Sequence, residues 1–292
     1  MTFVIVSMAS TATTALNPVE IVEENEIKVD YLHLSEDRRV AYRKFVGWRQ
    51  PTILYVPGFF AHMNLRKTKE IEKYARQQGY SNVRYDQECV GLSTGQQTTI
   101  EFEHWLEDAL ALVDQVCDGP IVLVASSLGA WISCIVAMRR PQRIHGMIFL
   151  GPGFNALRPG YWHHYNLLPE EVRARVDAGE EHIKIKMRYG GVGILRRDFC
   201  ENTQPFEIDF SHPLPIHCPV RIVHAIQDMD VPYEASLVLM ERLATEDVDF
   251  ILRKTGDHRL NTRQDHSLLL SELDRLLKQY PVKMDTAPRS KL

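Results

Sequence analysis

At 292 residues, with 45% apolar and 25% charged side chains, the chain has the length and balance of one large globular domain. Thirty-four basic against 38 acidic residues leave a net charge of -4 with no basic stripe, so nucleic acid is not an expected partner. The five cysteines, Cys89, Cys117, Cys134, Cys200 and Cys218, are irregularly spaced with no CxxC pair. That pattern argues against a disulfide framework and for thiols packed as small hydrophobes, with Cys134 in the core.

In chain order, residues 1–25 read as a flexible leader. Met1 to Val19 carry no charged side chain, and no basic stretch precedes the short apolar run Phe3 to Val6, as a secretory signal would require. The first arginine is Arg38, and Glu20, Glu23, Glu24 and Glu26 come before it, unlike an Arg-rich mitochondrial presequence. A single domain is expected over 26–282. Ile27–Leu34 and Arg39–Val46 flank the polar turn Ser35-Glu36-Asp37 as a hairpin. Thr52–Val56 is a buried strand that stops at Pro57-Gly58. Glu70–Gln78 reads as a helix ended by Gly79, and Asn82–Tyr85 as a strand. Glu101–Cys117 is an amphipathic helix with Phe102, Leu106, Leu110, Val113 and Cys117 on one stripe.

Ile121–Ala125 is a continuous apolar strand, Ser126–Gly129 a tight turn, and Ala130–Arg139 a helix closed by Pro141. Met147–Leu150 is the next strand, followed after a long interruption by the strand Arg221–His224, the helix Glu234–Leu243, the strand Asp249–Leu252 and a final helix Gln264–Tyr280. Strands alternating with helices imply an α/β fold, a mostly parallel sheet with helices on both faces. The interruption, about 152–218, reads as an inserted lid, with a polar helix around Glu170–Val176 and a hinge at Gly190, Gly191 and Gly193. Val122–Met138 is too short and too polar to span a membrane, and no membrane span is expected. Residues 283–292 form a polar tail that ends in Ser290-Lys291-Leu292, the peroxisomal import tripeptide. Peroxisomal location, with the import receptor as partner, is the expectation.

The chemistry is expected at Val122-Leu123-Val124-Ala125-Ser126-Ser127-Leu128-Gly129. An apolar strand, a sharp turn with a serine at its tip and a helix make the nucleophile elbow G-x-S-x-G, here with Ala125 in the first glycine position. Small residues two before and two after Ser127 let the backbone double back, and the helix N-terminus is aimed at the reacting oxygen. Ser126 should then point away from the pocket. A serine nucleophile needs a base and an orienting carboxylate, in the chain order Ser, acid, His. Asp228, just past the strand Arg221–His224, is the expected acid, with Asp230 as its rival. His258, in the glycine-containing loop after Asp249–Leu252, is the expected base. The oxyanion donors should be the backbone N–H groups of Leu128 and, from the loop Pro57-Gly58-Phe59-Phe60, of Phe59.

The run Val124–Trp131, Ile251-Leu252-Arg253-Lys254, Asp257-His258-Arg259, and Pro57-Gly58 with Met63-Asn64 resemble one animal family of α/β-hydrolases, from about residue 30 to 280. That family is described as palmitoyl-protein thioesterases and mycophenolic acid acyl-glucuronide esterases. The resemblance implies an α/β-hydrolase fold and a serine hydrolase acting on S-acylated proteins or small acyl esters, and it matches Ser127, Asp228 and His258 to the family's triad. The sequence departs from the pattern at Ala125, at Ala130 and at Gln87-Glu88-Cys89, changes that could reshape the acyl pocket. The resemblance implies a mitochondrion, against the peroxisome suggested by the tail, and the cytosol remains an alternative.

No cofactor is expected. His163-His164 and His182 lack any metal-ligand spacing, so no metal is expected either. Phe154, Leu157 and Trp162 either line the acyl site or pack the lid. A carbon–carbon bond hydrolase or peptidase of the same fold is the alternative enzyme, and a non-catalytic binding member of the fold is the alternative outside catalysis.

Overall fold

The computed structural model describes residues 28–186 and 192–282. The expected leader, the whole polar tail with its terminal Ser290-Lys291-Leu292, Gly190 and Gly191 lie outside the described residues.

Apolar runs alternating with amphipathic segments resolve into ten strands and eight helices among the described residues. The strands are β1 (Asp30–His33), β2 (Arg39–Phe45), β3 (Arg49–Val56), β4 (Tyr80–Tyr85), β5 (Ile121–Ser126), β6 (Ile144–Leu150), β7 (Ile183–Lys186), β8 (Val192–Leu195), β9 (Val220–Ala225) and β10 (Val248–Arg253). The helices are α1 (Arg66–Gln78), α2 (Phe102–Ala111), α3 (Leu128–Arg139), α4 (Leu157–Asn166), α5 (Glu170–Asp177), α6 (Arg197–Glu201), α7 (Glu234–Arg242) and α8 (Arg263–Gln279). Helix α1 begins one turn before the Glu70 expected from composition. The stripe expected to run unbroken to Cys117 leaves α-geometry after Ala111 and finishes as a wider π turn over Leu112–Val116. Both its Leu112 and Val113 stay buried, so the turn keeps the apolar face on the core.

Eight strands form one sheet in the order β1-β2-β4-β3-β5-β6-β9-β10. The two pairings of β2 are antiparallel, and those from β4 to β10 are parallel, so the expected hairpin is the antiparallel edge of a parallel sheet. Because side chains alternate across a strand, β5 feeds two cores at once. Ile121, Leu123 and Ala125 face a cluster with residues of α2, α3 and α7. Val122 and Val124 face the opposite cluster with Ile71 and Ala75 of α1 and Leu269, Leu273 and Leu276 of α8. Burial on both faces is why these strands read as unbroken apolar runs.

The chain lays β4 on one side of β3 and then places β5 on the other. Loops leaving the carboxyl ends of β3 and β5 therefore diverge and open a crevice, the usual location of a site in such a sheet.

Between β6 and β9 the chain leaves the sheet. It forms α4, α5, the antiparallel pair β7–β8 and α6. Gly193, expected in a hinge, is paired with Ile185 inside that small sheet, because ladder hydrogen bonds take up its backbone. The insertion is tied to the body at several points. Arg196 donates to the carbonyls of Gln97 and Ile100 at 3.2 and 3.1 Å, and the Trp131 indole of α3 donates to the Phe206 carbonyl at 2.7 Å. Trp131→Phe keeps most of the ring but leaves that carbonyl without its donor, so a loss of about 1–2 kcal/mol is expected in urea unfolding. Faster limited proteolysis near Phe206 should accompany it, and unchanged proteolysis would show that the indole bond does not hold the insertion down.

Candidate active site

Ser127 sits where β5 gives way to α3, with φ 54° and ψ -126°. That conformation is strained for a residue with a side chain, at roughly 1–3 kcal/mol. Neighbouring backbone holds it. The Ser127 N–H donates to the Leu150 carbonyl of β6 at 3.0 Å, and its carbonyl accepts from Ala130 and Gly153 at 2.9 and 3.2 Å. The turn is also tight: a Cβ on Gly129 would lie 2.4 Å from the Val56 carbonyl oxygen, and one on Gly58 would lie 3.2 Å from Ser127 Cβ. Gly129 thus has no room for a side chain, and Gly58 brings the Pro57–Phe60 loop against Ser127. Ala125 fits in the first small position because its methyl group points into the core, fully buried.

His258 comes from the loop after β10, three strands from β5, a span of roughly 14 Å. Its Nε2 lies 2.8 Å from Ser127 Oγ, and its Nδ1 lies 2.6 Å from Asp228 Oδ2. The loop is fixed on both sides of the histidine. Gly256 adopts φ 128°, and Leu260 is buried against the α1–α8 core. Thr262 and Asp265 then close a reciprocal cap on α8.

Asp228 follows β9 and has four donors. Oδ1 accepts from the backbone N–H groups of Asp230 and Val231 at 2.8 and 2.9 Å. Oδ2 faces His258 Nδ1 and also His224 Nε2 at 3.0 Å. Burial by itself would raise this carboxyl, but the hydrogen bonds from His224 and His258, with the His258 charge and the Val231 N–H, outweigh it and hold Asp228 well below the ordinary carboxylate range. Gly151, at φ 53°, packs against the Asp228–His258 bond: a Cβ there would lie 3.3 Å from both Asp228 Oδ2 and His258 Nδ1. Asp230, the rival acid, is buried close by, while the Oδ2–Nδ1 bond to His258 belongs to Asp228.

Ser126 turns the other way. Its Oγ accepts from Tyr55 Oη and Lys67 Nζ, each at 3.1 Å. Lys67 also donates to the Arg259 carbonyl at 2.7 Å. One buried ammonium therefore joins the residue before Ser127 to the residue after His258. Of the expected oxyanion donors, Leu128 is the first residue of α3, where N–H groups have no partner within the helix. Phe59 follows Gly58, and its ring packs with those of Phe60, Trp105 and Phe199 at centroid distances of 4.7, 5.9 and 6.4 Å. Phe199 belongs to α6, so the insertion reaches the loop beside Ser127. Phe154 meets Phe210 edge-to-face, Leu157 is buried in the core, and Trp162 donates to Glu201 at 2.6 Å. These three contacts are of the packing kind.

Among the described residues, the one grouping of His, Cys, Asp and Glu close enough to share an ion is Asp228, Asp230 and His258. His258 and Asp228 already spend their facing atoms on each other, so the donor set reads as a hydrogen-bonded pair. His163 and His182 are exposed and His164 is buried. The sequence reading missed His224 and Lys67. The signals were a histidine closing a buried strand four residues before the acid, and a lysine on the buried face of α1 with Thr68, Ile71 and Ala75.

A family model described as "Serine aminopeptidase, S33" matches residues 49–174. The mouse (Mus musculus) "Palmitoyl-protein thioesterase ABHD10, mitochondrial" is 32% identical over 250 residues, spanning 85% of this chain and 82% of that protein. The structure of the mouse alpha/beta hydrolase domain-containing protein 10 superposes with a TM-score of 0.74 at 29% identity, over 86% of this chain and 99% of that one. A putative hydrolase from Agrobacterium vitis superposes at 0.75 with 26% identity, over 86% and 98%. With its sheet and its crevice, the chain is a serine hydrolase of the α/β-hydrolase fold. Within that class it belongs to the ABHD10 family.

Burial lowers the Lys67 amine from 10.5 to about 8, with Asp265 and Asp257 opposing the shift. The folded protein therefore loses this proton at lower pH than the unfolded chain, so the group costs stability below pH 8 and that cost is relieved as pH rises toward 10.5. Lys67→Met is expected to remove this rise, at most about 1.4 kcal/mol per pH unit. Urea midpoints of both proteins across that window check it, and parallel pH curves would contradict it.

Proposed function

We propose that Ser127 is the nucleophile, His258 the general base and Asp228 the carboxylate that orients it, in hydrolysis of acyl thioesters and esters. The observation that carries this reading is the unbroken chain from Ser127 Oγ to His258 Nε2 at 2.8 Å and from His258 Nδ1 to Asp228 Oδ2 at 2.6 Å. His258 takes the Ser127 proton as Oγ attacks the acyl carbonyl, and Asp228 steadies the imidazolium. The oxyanion is met by the N–H groups of Leu128 and Phe59. The thiolate or alkoxide leaves with the proton from His258. Water, deprotonated by His258, then attacks the acyl-serine and frees the acid.

The relatives' name supports a palmitoyl-protein substrate. Acyl-glucuronides fall in the same acyl-ester class. The family-model match over residues 49–174 is the observation behind a second reading, a peptidase of the same fold. No helix of the described residues is long and apolar enough to cross a membrane. The relatives' printed name favours the mitochondrion over the peroxisome as the compartment.

Fluorophosphonate labelling of the wild type beside Ser127→Ala tests the nucleophile, with labelling lost in the variant. His258→Ala and Asp228→Asn are expected to lower kcat at least about 10³-fold. A palmitoyl thioester should compete for labelling more effectively than peptide amides. The reverse order would favour the peptidase, and no labelling of a folded wild type would defeat the catalytic reading.

A further inference from the structure

The triad reading gives His224 no task, yet its surroundings are specific. It lies in β9 with its side chain fully buried. Its Nε2 faces two acceptors, Asp228 Oδ2 at 3.0 Å and the Val231 carbonyl at 3.1 Å. Neither can donate, so Nε2 must carry the proton. Nδ1 lies 2.7 Å from Ser236 Oγ on α7, and that hydroxyl then donates to it. The two acceptors at Nε2 thus select the tautomer that presents an N–H to the acid, and the Ser236 hydroxyl satisfies the nitrogen left over.

We propose that His224 is a positioning residue for Asp228. It supplies a second imidazole N–H to the same carboxylate oxygen that orients His258. This rests on the reading of Ser127, His258 and Asp228 as the triad. A carboxylate has about four acceptor positions, and here four donors occupy them: the Asp230 and Val231 N–H groups on Oδ1 and the two imidazoles on Oδ2. The carboxylate cannot rotate without breaking several bonds. Because Oδ2 shares its electron density between two donors, it attracts the His258 proton less strongly than it would with one. His258 is left a base that can still release its proton to the leaving group.

The titratable groups facing this cluster, among the described residues, come from β9, the loops after β9 and β10, and β10 itself. His224 meets Asp228, and Asp228 meets His258. Asp230 has a carboxylate oxygen within 4.8 Å of both of the latter. Arg253, on the neighbouring strand β10, is directed to Asp265 of α8 at 3.4 Å.

The test compares His224→Phe with His224→Gln, whose amide N–H2 can reach the Asp228 oxygen as Nε2 does. The expected result for Phe is an acid limb of kcat/KM on a soluble thioester moved up by about 0.5–1 pH unit, as His258 becomes more basic. Gln should restore the limb to the wild-type position. Equal limbs in all three proteins, with only an overall loss of rate, would reduce His224 to packing and overturn the proposal. A limb moved equally by Phe and Gln would also overturn it. Should Phe fail to fold, ¹⁵N-histidine NMR on the wild type decides: a His224 proton on Nε2, with Nδ1 as the acceptor, is expected. A proton on Nδ1 would overturn the assignment. Ser127→Ala, tested by fluorophosphonate labelling in the same series, keeps failure of the triad reading separate. Labelling that survives in that variant defeats the triad, whereas the His224 tautomer and the pH limb report on His224 alone.

Discussion

The site depends first on the backbone turn at Ser127. A non-glycine residue at φ 54° is tolerated only where its surroundings leave no alternative. Strand β5 is buried on both faces, so it cannot slide to relax the turn. Helix α3 is pressed so close to β3 that Gly129 has no space for a side chain. The strain is held by packing of the whole sheet, and its result is a serine hydroxyl lifted toward the crevice between β3 and β5. Hydrogen bonds from Ser127 N–H to Leu150 and from Gly153 N–H to the Ser127 carbonyl extend the constraint to β6 and the start of the insertion.

Around that turn the polar groups separate into two networks on opposite sides. On the crevice side, Ser127, His258, Asp228, His224 and Ser236 form one continuous chain of hydrogen bonds. On the other side, Tyr55 and Lys67 converge on Ser126, and Lys67 reaches on to the carbonyl of Arg259. A buried ammonium is costly to desolvate, which its lowered basicity reflects. It holds together two loops that come from β5 and β10, and no covalent link does so. The adjacent serines Ser126 and Ser127 are chemically alike, but Ser126 is the last residue of β5 and Ser127 lies in the turn at φ 54°, which redirects its side chain, so they join different networks.

The insertion between β6 and β9 brings apolar surface to this polar centre. Phe199 from α6 packs with Phe59 and Trp105, so buried rings of the insertion and of the body hold the residue proposed as an oxyanion donor in place.

Much of this was legible in the sequence because it is local. Apolar runs of strand length and stripes of helix period are set by residues close in the chain, so the mostly parallel sheet and its antiparallel edge could be read directly. The elbow was readable too, since its steric demand falls on Ala125 and Gly129, two positions from Ser127. Chain order alone drew attention to Asp228 and His258. What only the tertiary structure decided were the meetings across the sheet: Asp228 and not Asp230 facing His258, His224 sharing that carboxylate, and Lys67 reaching the Arg259 carbonyl 192 residues further along the chain. Those choices turn on which side chains converge when β5, β9 and β10 lie side by side. That neighbourhood exists only after folding, and no pattern in the sequence carries it.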